Sequence, residues 1–341
     1  MKNAILLSAC FVTTSALAAA PASLSFTHED WEIACDNTRT CRAAGYQQDG
    51  EEPAVSVLLV RKAGPREPIV AKVQLGSYDE EARQAMPDKL ALRIGSRALG
   101  MVALDKDWIG QLSRPQAEAL VTALAGRSVL SWSGAGKTWT LSGKGAAAVL
   151  LKMDEFQGRL GTAGAALRKG GKPEEGVLPP LAPPVVQAVP VPKAAPRAAG
   201  KEERRQLLAS LRRFEGDDCG DLAIVASEGL DVMVTPLSGG KQLVSARCWM
   251  GAYNVGEGYW VTNPKPPYDP VLVTASGSDY DKGRISAAHK GRGLGDCWGS
   301  DEWVWDGRRF AHTASATTGM CRLVAAGGAW ELPTLVSEVR E

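Results

Sequence analysis

Leu178-Pro179-Pro180-Leu181-Ala182-Pro183-Pro184 lies near the middle of a chain of 341 residues, and its reading decides how the rest divides. Proline fixes φ and removes a backbone donor, so neither a helix nor a central strand forms through such a run. The surrounding stretch, 169–200, turns to Pro, Ala, Val and Gly. It reads as an extended, semi-rigid spacer rather than as a ligand for a polyproline-binding module. A spacer there leaves an amino-terminal domain over 26–168 and a carboxy-terminal domain over 201–341.

The amino-terminal part begins with strand-like runs at Trp31–Cys35, Val55–Val60, Pro68–Leu75 and Leu90–Ile94. Helices come later. Ser113-Arg114-Pro115-Gln116 places an N-cap, an early Pro and a capping-box Gln at the start of a helix that Gly126 ends. Between Ser142 and Leu160, residues Ala146, Val149, Leu150, Met153 and Leu160 recur at helical spacing, which predicts one buried face. With a hairpin over Val129–Leu141, this half reads as an α+β layer.

Beyond the spacer, Lys201–Phe214 predicts a helix with an apolar stripe of Leu207, Leu208, Leu211 and Phe214. After Cys219 the pattern becomes short strands with Gly, Asn and Asp turns. Trp303-Val304-Trp305-Asp306-Gly307-Arg308-Arg309-Phe310 is a hairpin signal, because Asp-Gly tolerates the positive φ of a tight turn. This half is expected to be mainly antiparallel β, and the whole chain α+β.

The first residues point to export. Met1-Lys2-Asn3, the apolar run Ala4–Phe11 and the small residues of Ser15–Ala20 follow the order of a cleavable signal peptide. Ala16-Leu17-Ala18 fits the cleavage rule, so 1–18 is assigned as the signal and the mature start falls near Ala19. The apolar stretch is shorter than the roughly 20 residues of a membrane-spanning helix. Leu7-Ser8-Ala9-Cys10 also fits a lipid-modified cysteine, which would anchor the protein. Apolar residues continue past Cys10, which favours ordinary cleavage and a soluble periplasmic protein.

Removing Cys10 from the seven cysteines leaves Cys35, Cys41, Cys219, Cys248, Cys297 and Cys321. An even number in an exported chain favours disulfides. Spacing suggests Cys35–Cys41, Cys219–Cys248 and Cys297–Cys321, although sequence alone permits other pairings. Zinc needs closely spaced ligands; no Cys-x-x-Cys occurs and the chain holds three histidines. No metal or other cofactor is expected. The 39 basic and 38 acidic residues balance, which gives no electrostatic reason to expect nucleic acid as a partner.

Several stretches resemble the exported bacterial family called domain of unknown function 1176. They are Trp31-Glu32-Ile33-Ala34-Cys35-Asp36-Asn37 with Cys41-Arg42-Ala43-Ala44-Gly45-Tyr46, then Leu151–Thr162, Gly251-Ala252-Tyr253-Asn254 and Trp305-Asp306-Gly307. The resemblance runs through nearly the whole mature chain and implies an envelope protein. The first domain is also faintly similar to the invasion-associated locus B family, through its Trp-Cys opening and late helix. Neither resemblance supplies catalytic residues.

The catalytic patterns present are weak. Gly136-Lys137-Thr138 lacks the upstream Gly of a phosphate loop and runs on into strand-like Trp139-Thr140-Leu141, so it reads as a hairpin turn. Gly291-Arg292-Gly293-Leu294-Gly295-Asp296-Cys297 has no helix after it to bind phosphate and reads as a turn approaching a disulfide. His28 lies near the mature terminus, and only His289 and His312 remain as bases for a nucleophile. Asp217-Asp218, Asp279–Asp281 and Asp301-Glu302 offer carboxylates for a glycosidase, all in turn-like contexts.

Aromatic residues are the most distinctive feature of the second half. Trp249, Trp260, Trp298, Trp303, Trp305 and Trp330 all follow the spacer, and Tyr253, Asn254 and Tyr259 stand among the first two. Such side chains stack on sugar rings or anchor a protein partner, although most are expected to fill a β core. Trp303 and Trp305 share a strand face and should point the same way. The candidate ligand-binding group is Trp249, Tyr253, Asn254, Tyr259, Trp260 and Arg292. A non-catalytic periplasmic binding or adaptor protein follows, with an envelope protein or glycan as partner. An envelope hydrolase and a structural or stress-related envelope protein are the alternatives.

Overall fold

The computed structural model describes residues 23–77, 86–126, 128–212 and 219–341. The expected signal 1–18 with Cys10, and Phe214, Asp217 and Asp218, lie outside the described residues. The first half supplies strands β1 (Leu24–His28), β2 (Trp31–Cys35), β3 (Cys41–Tyr46), β4 (Val55–Arg61), β5 (Ile69–Leu75), β6 (Lys89–Ile94), β7 (Arg97–Ala103), β8 (Ile109–Gln111), β9 (Leu130–Gly134) and β10 (Lys137–Leu141). Its helices are α1 (Arg114–Leu124) and α2 (Ala146–Phe156). An antiparallel meander in the order β1-β2-β3-β4-β5-β8 packs with a second sheet, β10-β9-β6-β7.

Alternation along the strands explains both faces of the first sheet. Trp31, Ile33 and Cys35 of β2, Cys41 and Ala43 of β3, and Val55, Val57 and Leu59 of β4 enter a core shared with α1, α2 and the second sheet. Trp31 lies across the neighbouring strand at Gly45; a Cβ there would sit 2.2 Å from the indole, so the register needs glycine. Helix α1 starts as its sequence dictates, with Ser113 Oγ accepting the Gln116 N–H and the Gln116 side chain accepting the Ser113 N–H. Helix α2 buries Ala146, Val149, Leu150 and Met153 of the expected stripe, but it ends at Phe156, so Leu160 lies beyond it, half-buried in a turn. The β9–β10 hairpin turns at Ala135 and Gly136, both at positive φ, so Gly136-Lys137-Thr138 is a turn and strand.

Residues of the proline-rich segment run extended and hydrogen-bond to elements on both sides. The Leu178 N–H donates to the Gln157 carbonyl at 3.1 Å and the Leu181 N–H to the Thr38 carbonyl at 3.2 Å. Further on, β11 (Val185–Gln187) and β12 (Arg197–Ala198) follow before helices α3 (Lys201–Leu211) and α4 (Leu222–Glu228). Proline limits the donors, but the intervening residues still find carbonyl partners.

The second half continues with β13 (Met233–Pro236), β14 (Gln242–Met250), β15 (Val255–Thr262), β16 (Val271–Gly277), β17 (Asp279–Asp281), β18 (Arg284–Lys290), β19 (Trp298–Trp305), β20 (Phe310–Thr317), β21 (Leu332–Leu335) and β22 (Glu338–Arg340). They form two five-stranded antiparallel sheets, β12-β13-β14-β15-β16 and β17-β18-β19-β20-β21, while β22 pairs in parallel with β11. The chain is therefore mostly β with a few helices. Helix α4 departs from the strand reading of this region: Leu222 and Val225, three residues apart, bury against α3 in the core that Cys219 and Cys248 join. The apolar run Leu222-Ala223-Ile224-Val225 is short enough to read either way.

The segment leading into β21 returns to the first sheet. Val324, Ala329, Trp330 and Leu332 cover the outward residues Ala34, Ala44, Tyr46 and Leu58. Polar contacts reinforce this layer. The Met320 N–H donates to Glu32 Oε1 at 2.6 Å, and Arg322 Nη2 to Asp30 at 3.0 Å. Asn37 exchanges two hydrogen bonds with the backbone of Val336. Disulfides join Cys35–Cys41, Cys219–Cys248 and Cys297–Cys321, as spacing suggested.

Candidate binding surface

The β14–β15 hairpin turns through Gly251-Ala252-Tyr253-Asn254, with Met250 opposite Val255. Its tip leans on the loop after β18. Asn254 holds that loop with both ends of its amide, donating to the Lys290 carbonyl at 2.9 Å and accepting the Lys290 N–H at 3.0 Å. The Tyr253 hydroxyl reaches the Gly291 carbonyl at 3.3 Å. The loop is braced from behind by the Gly291 N–H to the Cys297 carbonyl at 2.8 Å and by the Cys297–Cys321 bridge.

Arg292 grips Asp296 with two nitrogens, Nε at 2.7 Å and Nη2 closer still. The buried Asp296 also accepts the Leu323 N–H at 2.9 Å. Burial works to raise its carboxyl, yet the Arg292 guanidinium and the Leu323 N–H outweigh it and hold Asp296 below the usual carboxylate range. An ionised, fully engaged carboxylate of this kind fixes a loop rather than moving protons.

Trp249 lies against Gly256, donates its N–H to the Ser276 hydroxyl at 3.2 Å and faces the His289 ring at 5.1 Å. His289 Nε2 is itself 2.7 Å from the Ser276 carbonyl oxygen. Around this frame Met250, Tyr253, Val255 and Leu294 are exposed by 63, 48, 47 and 63 %. Lys290 extends its ammonium over the Trp298 ring. Apolar and aromatic groups exposed together on a braced turn suit stacking on a held ligand.

The family described as "Protein of unknown function (DUF1176)" matches residues 25–337. The chain belongs to this family. The match begins in β1 and ends past β21, so the DUF1176 unit takes in both halves and the segment between them. The uncharacterized protein YpfG of Escherichia coli (strain K12) is 28% identical over 348 residues, spanning 94% of this chain and 94% of its own. No solved structure matches.

In this DUF1176 chain, Tyr253, Asn254 and Arg292 of the sequence-derived group come together around the 290–296 loop, while Trp249 lies against His289 and packs on the core that also takes Trp260. Tyr259 and Trp260 do not join them. As adjacent residues on β15 they point to opposite faces, and both faces are covered. Trp260 enters the core under α3 and α4, while Tyr259 enters the core shared with Trp305. The contribution of Met250, Leu294 and Trp298 was not read from sequence; Met250 flanks the Tyr253 turn on its own hairpin, whereas Leu294 and Trp298 lie tens of residues further along the chain. Trp303 and Trp305 do point the same way, into the second of these cores.

Each other chemical candidate has a place as well. His28 sits in β1 opposite Trp31. His312 Nε2 contacts Asp301 at 2.8 Å and stacks on Trp303 at 4.8 Å. Glu302 pairs with Arg284 at 3.0 Å. Asp279 lines a recess of about 170 Å³ with Glu257 and Tyr259, where the Tyr259 hydroxyl donates to Glu257 at 3.1 Å. The disulfide sulfurs of Cys297 and Cys321 lie close to Asp296, but bonded to each other they offer no thiolate for a metal.

Proposed function

We propose that the protein is an exported, non-catalytic binding or adaptor protein of the bacterial envelope, and that its ligand meets the surface around Tyr253. The observation that carries this reading is the half-exposed Tyr253 ring on a turn clamped through Asn254 to the Lys290 backbone. A rigid aromatic anchor loses little conformational entropy on binding. Three disulfides support an oxidising compartment. No helix of the described residues is long and apolar enough to cross a membrane.

The test uses the purified protein against isolated envelope glycan and, separately, against an envelope protein extract. A Tyr253→Ala/Leu294→Ser variant, checked for an unchanged melting temperature, runs beside it. Saturable retention by one of the two materials, lost in the variant, supports the reading. Equal retention of both proteins, or of neither, removes it.

The hydrolase alternative has one specific foothold, the recess that holds Glu257 and Asp279 beside Tyr259. Paired carboxylates are the minimum for glycoside hydrolysis. Turnover of envelope glycan that is abolished by Glu257→Gln would favour it over the binding reading.

A further inference from the structure

A cleft of about 940 Å³ opens in the first half, along α1 and against the start of β5 and the 163–169 loop. Its volume lies within the range of small-molecule sites, roughly 300–1,000 Å³. Its lining includes the apolar Ile69, Ile94, Leu99 and Pro115, with small residues of α1 and of the 163–166 stretch.

The charged lining is unbalanced. Arg61, Arg66, Arg97, Arg114 and Lys169 face Glu67, Glu118 and Glu174. Several of these charges are already engaged: Glu118 pairs with Arg114 at 2.8 Å, Arg66 with Glu175 at 3.4 Å, and Glu174 with Arg159 at 3.6 Å while accepting the Gly164 N–H at 2.8 Å and the Arg66 N–H at 3.2 Å. The exposed side chains of Arg97 and Lys169 make no hydrogen bond or ion pair among the described residues. Arg61 is buried in the wall, with Nε and Nη2 on the Glu67 and Gly164 carbonyls. Its Nη1 lacks a hydrogen-bond partner and lies 3.6 Å from Asp154, and the charges of Arg159, Glu174 and Glu67 act on the group as well.

We infer that this cleft binds a small amphiphile, an acyl or alkyl chain ending in an anionic headgroup. The apolar lining takes the chain, and the exposed Arg97 and Lys169 take the headgroup. A neutral or cationic ligand of the same shape leaves those charges unmatched. The site is separate from the Tyr253 surface and stands or falls independently of it.

Equilibrium binding of the purified protein to decanoate, decyl phosphate, decyl maltoside and inorganic phosphate tests the inference, each kept below its micellar concentration. One or both of the anionic amphiphiles should bind saturably, and which of them does so identifies the headgroup. Arg97→Ala/Lys169→Ala should weaken that binding about tenfold. Ala119→Trp, which fills the cleft from α1, should abolish it, with both variants melting at the wild-type temperature. Absence of saturable binding by either anion overturns the inference, as does an affinity unchanged in both variants. Decyl maltoside binding as tightly as the anions removes the headgroup assignment, and inorganic phosphate binding as tightly removes the chain.

Discussion

Trp330 donates its indole N–H to the Ser56 hydroxyl at 2.7 Å, across 274 residues of chain. Ser56 passes the bond on to the Gly45 carbonyl at 2.9 Å. The outer face of β4 is thus tied to the end of the chain by a buried side chain, beside the apolar contacts of Val324 and Leu332. Trp330→Ala should cost about 3–5 kcal/mol, through lost burial and the cavity left behind. Trp330→Phe keeps most of the packing, and Ser56 keeps its bond to Gly45, so about 1 kcal/mol is expected. Urea unfolding of both variants with disulfides intact checks the difference.

Glu32 provides a pH-dependent element in the same layer. Burial holds its carboxyl above the ordinary value of 4.5, against hydrogen bonds from Tyr46 and the Met320 N–H and the charge of Arg322. A raised folded-state value means that the folded protein binds more protons than the unfolded chain over the intervening range. This group's contribution to stability therefore falls as pH rises from about 4.5 through the folded value. Glu32→Gln keeps an oxygen for Tyr46 and Met320 and removes the titration. The stability of the variant relative to wild type should rise from pH 4 to pH 7, as measured by urea midpoints at several pH values. A constant difference would show that Glu32 is not the group responsible.

Local chemistry was legible in the sequence. The Ser113–Gln116 box, the α2 stripe and the turns at Gly136 and Gly307 depend on neighbours within a few residues, and the structure contains each of them. Tyr259 and Trp260 show the limit of a strand pattern. Two adjacent large aromatics suggest that one of them faces solvent, but the β12–β16 sheet is covered on both sides. The packing of Trp330 against Ser56 and the cleft near Arg61 join segments far apart in sequence, and no periodicity reports such contacts.

The Cys297–Cys321 bridge spans 24 residues and sits directly behind the loop that Tyr253 touches. Replacing both cysteines by Ala should cost about 2–4 kcal/mol, mainly by freeing the unfolded chain. It should also loosen residues 290–296 in the folded protein. Hydrogen exchange at the Lys290 and Gly291 amides, whose acceptors are Asn254 and Cys297, should accelerate more than at the amides of β3. Uniform acceleration would mean that the bridge stabilises the chain without bracing this loop.

Asp154 on α2 is fully buried, accepts the N–H groups of Ala166 and Leu167 at 2.9 and 3.0 Å, and lies 3.6 Å from the Arg61 guanidinium. Burial raises its carboxyl and lowers the Arg61 guanidinium to about 10, so ion formation here works against desolvation on both partners. The pair stabilises little relative to well-packed apolar residues, but removing one member leaves the other charge buried without its counterion. Asp154→Ala should therefore cost about 3–5 kcal/mol, leaving Arg61 uncompensated and two backbone donors without acceptors. Asp154→Asn keeps an acceptor oxygen and should cost less. Combining Asp154→Ala with Arg61→Met should recover part of the loss, because the stranded charge goes with its partner. A double variant as unstable as the sum of the single ones would show that the loss lies in the loop hydrogen bonds rather than in the ion pair.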